Sequence, residues 1–269
     1  MKDNHTLTCI SATYNEESRI TSWLKNVTRW ADEVIVFDKG STDRTRAICE
    51  NFNVRIIDIP YSNAGEENIL ESVAHVQTDW FVWSTPSEVF KPELIKLFRY
   101  AIQSDDGTLD LVHAPVKFYA FGAHSPGTPY GVLSLPKLIN KHRAIIKNQI
   151  HGNYQSTSNS RYINYNEDTY LLHQTHPTFN QFIARQVEYA KVEALHSNNL
   201  IETARLALAN SSRFDYDFLS NPESDIRHFL GWKIYNYMTA LACHDAMHKD
   251  DTLKDYQNRI DEVLREWDY

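Results

Sequence analysis

Over the first hundred residues the pattern of apolar positions switches repeatedly between two periods. Leu7–Ala12 reads as a buried strand. Glu17–Arg29 then sets Ile20, Trp23, Leu24 and Val27 on one helical face, and Glu33–Phe37 is a second apolar run of strand length. The cycle continues with a helix over Thr42–Phe52, a strand over Val54–Ile59, a helix over Glu66–Val76 and a fourth strand at Trp80–Trp83. Strands separated by helices of this length predict right-handed crossovers, and therefore an α/β fold with a largely parallel sheet flanked by helices.

The pattern changes further along. Asp110–Val116 predicts another strand, and Gly122–Gly131, rich in Gly and Pro, predicts a loop. Gln155–Asn166 is poor in apolar residues and heavy in Ser, Asn and Tyr, as expected of a surface loop or a lid. From Phe179 the spacing is helical, through Phe182, Ile183, Val187, Tyr189 and Ala190, with a second block over Ile226–Trp267. The chain thus divides into an α/β part over 1–177 and a C-terminal helical appendage over 178–269.

Composition narrows the class of function. Apolar residues make up 42% of the chain and aromatics 12%, enough for a core and incompatible with global disorder. A net charge of −8 argues against a protein that coats nucleic acid, whose footprint is basic. Three widely spaced cysteines, Cys9, Cys49 and Cys243, make neither a disulfide framework nor a Cys-cluster zinc site. The polar start Met1–His5 and the lack of any apolar run of about 20 residues predict no secretory leader and no membrane span. The expectation is a cytoplasmic protein with at most peripheral membrane association.

In a parallel sheet, ligands collect beyond the carboxyl ends of the strands. Those ends read Thr13-Tyr14-Asn15-Glu16-Glu17, Asp38-Lys39-Gly40-Ser41-Thr42-Asp43 and Ser84-Thr85-Pro86-Ser87-Glu88. A tyrosine offers a face to a nucleobase, and an aspartate can accept hydrogen bonds from a base or ribose. Gly40–Asp43 also reads simply as a turn with a helix cap.

Four segments together are more specific. Leu7–Glu17 (LTCISATYNEE), Trp30–Thr45 (WADEVIVFDKGSTDRT), Thr78–Trp83 (TDWFVW) and Leu171–His173 (LLH) resemble, in order and spacing, the inverting glycosyltransferases of family 2. The likeness covers about residues 5–195 and is nearest to bacterial members that build lipopolysaccharide core and other surface glycans. It implies a GT-A fold, Rossmann-like, with a nucleotide-sugar donor lying across the strand ends and a glycan or glycolipid as acceptor. Carried over by position, Thr13 and Tyr14 hold the nucleobase, Asp38 hydrogen-bonds it, and Glu16 and Asp43 orient the donor side. His151 falls near the acceptor, and His173 matches a late histidine closing the catalytic domain.

The departures from that family pattern matter as much. Members usually carry Asp-x-Asp after the fourth strand, holding a metal that neutralises the donor diphosphate; this chain has Thr85-Pro86-Ser87, followed by Glu88. One carboxylate beside hydroxyls is a poor site for a hard divalent cation, so no metal cofactor is expected. The glutamate expected after His151 is Gly152.

Charge raises a further problem. Between Ile56 and Phe90 there is no Lys or Arg, while six acids stand there, including Asp58, Glu66, Glu67 and Glu88. A diphosphate beside such carboxylates costs about 4 kcal/mol per close pair at an effective dielectric of about 20. Leu111–Asn166 has the opposite bias, with six Lys or Arg and no acid. Lys137, Lys141 and Arg143 are the expected phosphate clamp, Lys137 foremost because relatives tend to be basic there, with His151 as proton acceptor. These cations could equally be a solvated face. His173-x-x-His176 could be a metal pair, though a packed histidine with a capping residue is the commoner arrangement. Tyr162, Tyr165 and Tyr170 could line an acceptor groove or anchor a loop. Two functions therefore compete: a transferase without a tightly bound metal, and a degenerate relative that binds nucleotide, glycan or a partner without turnover.

Overall fold

The computed structural model describes residues 6–248 apart from 63, 127–130, 149–152, 177, 214, 216–219 and 221–225. The α/β part opens with β1 (Leu7–Thr13), α1 (Ile20–Val27), β2 (Glu33–Asp38), α2 (Thr45–Glu50) and β3 (Arg55–Asp58). A 3-10 turn at Gly65–Asn68 leads into α3 (Ile69–Ala74), then β4 (Trp80–Trp83), β5 (Glu88–Phe90) and α4 (Pro92–Gln103). The second half holds β6 (Leu111–Tyr119), β7 (Val132–Asn140), β8 (Ile145–Ile146), β9 (Tyr154–Gln155), β10 (Ser160–Tyr162) and β11 (Leu171–Gln174).

Nine of these strands form one sheet in the order β3-β2-β1-β4-β7-β6-β11-β5, with β10 lying on β6. The first four are mutually parallel, as the alternating periods predict. β7 runs antiparallel to both β4 and β6, so the sheet is mixed beyond β4. This makes β6 parallel to β4, and β11 parallel to β6. The carboxyl ends of β1, β2, β4, β6 and β11 therefore share one edge of the sheet, and the carboxyl end of β7 lies at the opposite edge.

β1, β2 and β4 are buried on both faces, which is why they read as unbroken apolar runs. On one side Trp23, Leu24 and Val27 of α1 pack with Cys9, Val34 and Val36; further along, Leu94 and Phe98 of α4 cover Val112 and Val116. On the other side Ile69 and Val73 of α3 meet Ile35, Phe37 and Phe81. All three cysteines are buried and free.

Gln155–Asn166 departs from the expectation of a loop, since it contains β10, paired with Leu111–His113. What organises it is the buried carboxylate of Asp110. One of its oxygens accepts the backbone N–H groups of Thr157 (2.7 Å) and Ser158 (2.9 Å) and the hydroxyl of Ser156 (2.8 Å). Burial pushes the Asp110 carboxyl up, but the Ser158 N–H, the Ser156 hydroxyl and their neighbours outweigh it and hold it well below the ordinary range.

The C-terminal part is helical as expected, with α5 (Phe179–His196), α6 (Leu200–Asn210) and α7 (Ile226–His248). The Thr178 side chain caps α5 by accepting the Gln181 N–H. α5 packs on α7 at Gly231, where any Cβ would stand 2.8 Å from the Phe182 ring, so a side chain there must displace that ring. None of the described helices is long and apolar enough to cross a membrane.

The helices are not a detached appendage. Phe182 packs with Ala120 and Phe121, just beyond β6, and its ring meets His176 at 5.0 Å. Ten residues further along α5, Val192 is buried with Ala64 at the start of the 3-10 turn, with Tyr189 packed beside them. At helical spacing, Phe182, Arg185, Tyr189 and Val192 share one stripe. That stripe is laid over the carboxyl edge of the sheet, from the end of β11 to the segment after β3.

Candidate active site

The loops after β1 and β2 meet at the carboxyl edge of the sheet. Tyr14 is exposed, and its ring meets Tyr61 edge-on at 4.8 Å. Thr13 is buried at the last register position beside Asp38. Asp38 is also buried; its Oδ1 accepts the Ser41 N–H (3.0 Å) and hydroxyl (2.6 Å), and Arg46 stands 3.6 Å from Oδ2. Asn15, in the left-handed region at φ 54°, ties the two loops together. Its Oδ1 accepts the N–H groups of Thr42 (2.8 Å) and Asp43 (3.3 Å), while its own N–H donates to Ser41 Oγ (3.0 Å). Asp43 is occupied in the same stitching, accepting from the N–H groups of Glu17 (3.0 Å) and Thr45 (2.9 Å). Glu16 is held by Arg19 through two bonds of 2.8 Å.

The turn after β4 is closed by its own side chains. Thr85 Oγ1 and Ser87 Oγ bond each other at 2.7 Å. Glu88 is buried on the same side of β5 as Phe90; its Oε2 accepts the Thr85 N–H of this turn (3.4 Å), and its Oε1 lies 2.6 Å from Lys137 Nζ and 3.7 Å from His173 Nδ1. Burial pushes the Glu88 carboxyl up, but Lys137 and then His173 hold it below its ordinary value. Both members of the Glu88–Lys137 pair are buried. The turn thus holds two hydroxyls bonded to each other and one carboxylate engaged by Lys137. Among the described residues no group of three His, Cys, Asp or Glu is placed to hold a metal.

The expected clamp is only partly assembled. Lys137 reaches the turn, but as the buried partner of Glu88 rather than as an open cation. Lys141 and Arg143 do not come near the crevice: they follow the carboxyl end of β7, at the opposite edge of the sheet. There Lys141 Nζ donates to the Val76 carbonyl (2.6 Å), and Arg143 binds the Leu109 carbonyl (2.8 Å) and Asp105 (2.5 Å). The antiparallel direction of β7 is the reason. His151 lies outside the described residues.

Other cations stand at this edge. Lys39 Nζ donates to the Ser62 carbonyl (2.9 Å) and stands 5.7 Å from the Tyr61 ring. Burial, then the Arg185 charge, holds Lys39 below the ordinary lysine range, against Glu66, Glu67 and Glu16. Arg185 reaches in from α5 and lies 5.4 Å from the Tyr189 ring. Arg19 donates to the Thr175 carbonyl at 3.5 Å, just past β11.

His173 and His176 complete this edge. Burial, the dominant cause in both, lowers each to about 4. For His173, Lys137 and Arg19 add to the depression while Glu88 opposes it; for His176, His173, Arg185 and Arg19 add to it. The sequence offered a signal for Lys39, beside Asp38. For Arg185 the only signal was its place on the stripe of Phe182, Tyr189 and Val192. Elsewhere, Tyr162 stacks on His113 at 4.3 Å, and with Tyr165, Pro115 and Ser134 it lines an open cavity of about 330 Å³. Lys117 stands over both the Tyr165 and Tyr170 rings.

In a mixed α/β sheet whose parallel strands end at one edge, ligands collect outside that edge. Residues 8–161 match the family described as Glycosyl transferase family 2. The chain belongs to that family, and its sheet and flanking helices form the GT-A fold. An uncharacterized glycosyltransferase of Rickettsia bellii is 30% identical over 95 residues, covering 35% of this chain and 32% of the relative. Another, of Rickettsia felis, is 33% identical over 93 residues, covering 34% and 32%. The matched stretch thus spans about a third of each of these relatives. Among solved structures, S. aureus TarS gives a TM-score of 0.48 at 15% identity, covering 87% of this chain and 54% of its own. Glucosyl-3-phosphoglycerate synthase from Mycobacterium tuberculosis, in complex with Mn2+, uridine diphosphate and phosphoglyceric acid, gives 0.38 at 18%, covering 51% and 56%.

Proposed function

We propose that this protein transfers a sugar from a nucleoside diphosphate sugar to a hydroxyl of a glycan or glycolipid, without a bound divalent ion. The observation that carries the reading is the placing of Tyr14 and Asp38 at adjacent strand ends, with a buried Glu88–Lys137 pair behind the turn where family members hold a metal. Tyr14 supplies a stacking face and Asp38 an acceptor for a pyrimidine base. In the transfer, the acceptor oxygen bonds to the anomeric carbon, the bond from that carbon to the diphosphate oxygen breaks, and the acceptor proton passes to His151. The leaving diphosphate gains charge as this happens, so fixed cations beside it lower the barrier.

A thermal-shift panel of nucleoside diphosphates, with and without Mn²⁺, tests the donor site, because a ligand bound to the folded state raises its stability by RT ln(1 + [L]/Kd). The expected result is a shift with uridine diphosphate that Mn²⁺ does not enlarge. Asp38→Asn should weaken that binding by about 1–3 kcal/mol while leaving the fold in place. A shift that requires Mn²⁺ would overturn the metal-free reading, and no shift with any diphosphate would overturn the donor site.

The role of His151 has its own test. With a working donor and acceptor, His151→Ala should lower kcat by about 10²–10⁴-fold with little change in donor KM, the range typical of a general base. Full transfer by that variant would remove His151 from the mechanism. A binding protein without turnover is the competing reading, favoured by the engagement of Glu88 with Lys137. It predicts the thermal shift without any transfer.

A further inference from the structure

We propose that Arg185, on helix α5, binds the donor diphosphate together with Lys39 and Arg19, so that the helical region supplies one wall of the active site. This rests on the donor reading above and deepens it by assigning the phosphate contacts. Two contacts fix where α5 runs. Phe182 is buried against Phe121 and His176, at the ends of β6 and β11. Val192 is buried with Ala64, beyond β3. Arg185 lies between these anchors on the same stripe and so faces the strand ends.

From the floor of the crevice comes Lys39, directly after Asp38 and nearly buried at 7% exposure. Arg19 comes from the start of α1 and spans Glu16 and the Thr175 carbonyl. These cations belong to three separate segments, two of them in neighbouring βα units and the third on α5, and the fold brings them to the edge where the parallel strands end. Like charges disfavour one another, and Lys39, depressed first by burial and then by the Arg185 charge, feels that guanidinium from across the edge. A ligand carrying two or more negative charges between them would relieve the repulsion. A guanidinium is suited to that task, since its planar fork can bind phosphate oxygens in pairs.

Calorimetric titration of the full chain separates phosphate contacts from base contacts, with uridine diphosphate, inorganic pyrophosphate and uridine as probes. Arg185→Gln should weaken uridine diphosphate and pyrophosphate at least 10-fold and leave uridine unchanged. Arg185→Lys should recover part of the loss, and the salt dependence of diphosphate binding should become shallower in Arg185→Gln. Lys39→Gln provides a second variant from a different segment, with the same expected pattern. Arg205→Gln, on the exposed side of α6, should bind all three probes as the unaltered chain does. Equal diphosphate affinity in Arg185→Gln and the unaltered chain would overturn this proposal alone. An unaltered chain that binds no diphosphate would overturn the donor reading and this proposal with it.

Discussion

Replacing Lys137 with methionine should lower the free energy of unfolding by about 3–5 kcal/mol, the cost of leaving a buried charge without its partner. Glu88 is 2% exposed, and Lys137 Nζ, 2.6 Å away, is its nearest charge. Once the ammonium is gone, His173 at 3.7 Å is the remaining cationic candidate, and burial keeps that imidazole neutral at pH 7. The Glu88 carboxyl must then take up a proton or be hydrated, and either costs free energy that the ion pair spares the folded chain. Replacing both partners, as Glu88→Gln with Lys137→Met, should restore most of the loss, because a neutral pair of similar volume carries no such penalty. Urea denaturation of the two variants checks this. If Lys137→Met lies within about 1 kcal/mol of the unaltered chain, the pair is not a structural element.

The second large effect is on acid stability. His173 titrates near 4 in the folded chain, chiefly through burial, against an ordinary value of 6.5. Between these values the unfolded chain binds a proton that the folded one does not. The contribution of His173 is therefore complete above about pH 6.5 and is lost as the pH falls towards 4, by up to about 3 kcal/mol in all. His176 acts in the same window and in the same direction, and the two are coupled by proximity. Glu88, held below its ordinary 4.5, adds its own loss only at lower pH. In His173→Gln, the slope of unfolding free energy between pH 6.5 and 4.5 should fall by close to one proton. An unchanged slope would show that this imidazole is protonated inside the fold.

Much of the architecture was legible because burial leaves a periodic trace. Ile20, Trp23, Leu24 and Val27, placed on one face by spacing alone, are all buried in α1. β1, β2 and β4 were legible because both of their faces are covered. β7 and the direction it runs were not, because apolar periodicity is the same whichever way a strand points, and Pro136 sits within it. That direction decided the site: counting cations over Leu111–Asn166 included Lys141 and Arg143, which the reversal carries to the far edge of the sheet. α4 went unread although its signal was present, with Pro92 opening the helix and Leu94, Ile95, Phe98 and Ile102 at helical spacing. β10 was hidden for a different reason. Its polar sequence is ordered by Asp110, about fifty residues away, a contact that no local pattern contains.

The stitching around Asn15 bears on how the crevice meets its ligand. Asn15, Ser41, Asp43 and Thr45 already hold the loops after β1 and β2 to one another through side-chain-to-backbone hydrogen bonds. A loop fixed in this way has given up its conformational entropy during folding, before any nucleotide arrives. Binding to this floor then requires little further ordering of the chain, so more of the contact energy survives as affinity. Asn15 is the point where that preorganisation is most exposed to mutation. With a left-handed backbone and a carboxamide that accepts two N–H groups, it does the work of a turn residue and a clasp at once. Glycine would keep the first property and lose the second, leaving a crevice of the same shape that has to be ordered anew each time it is filled.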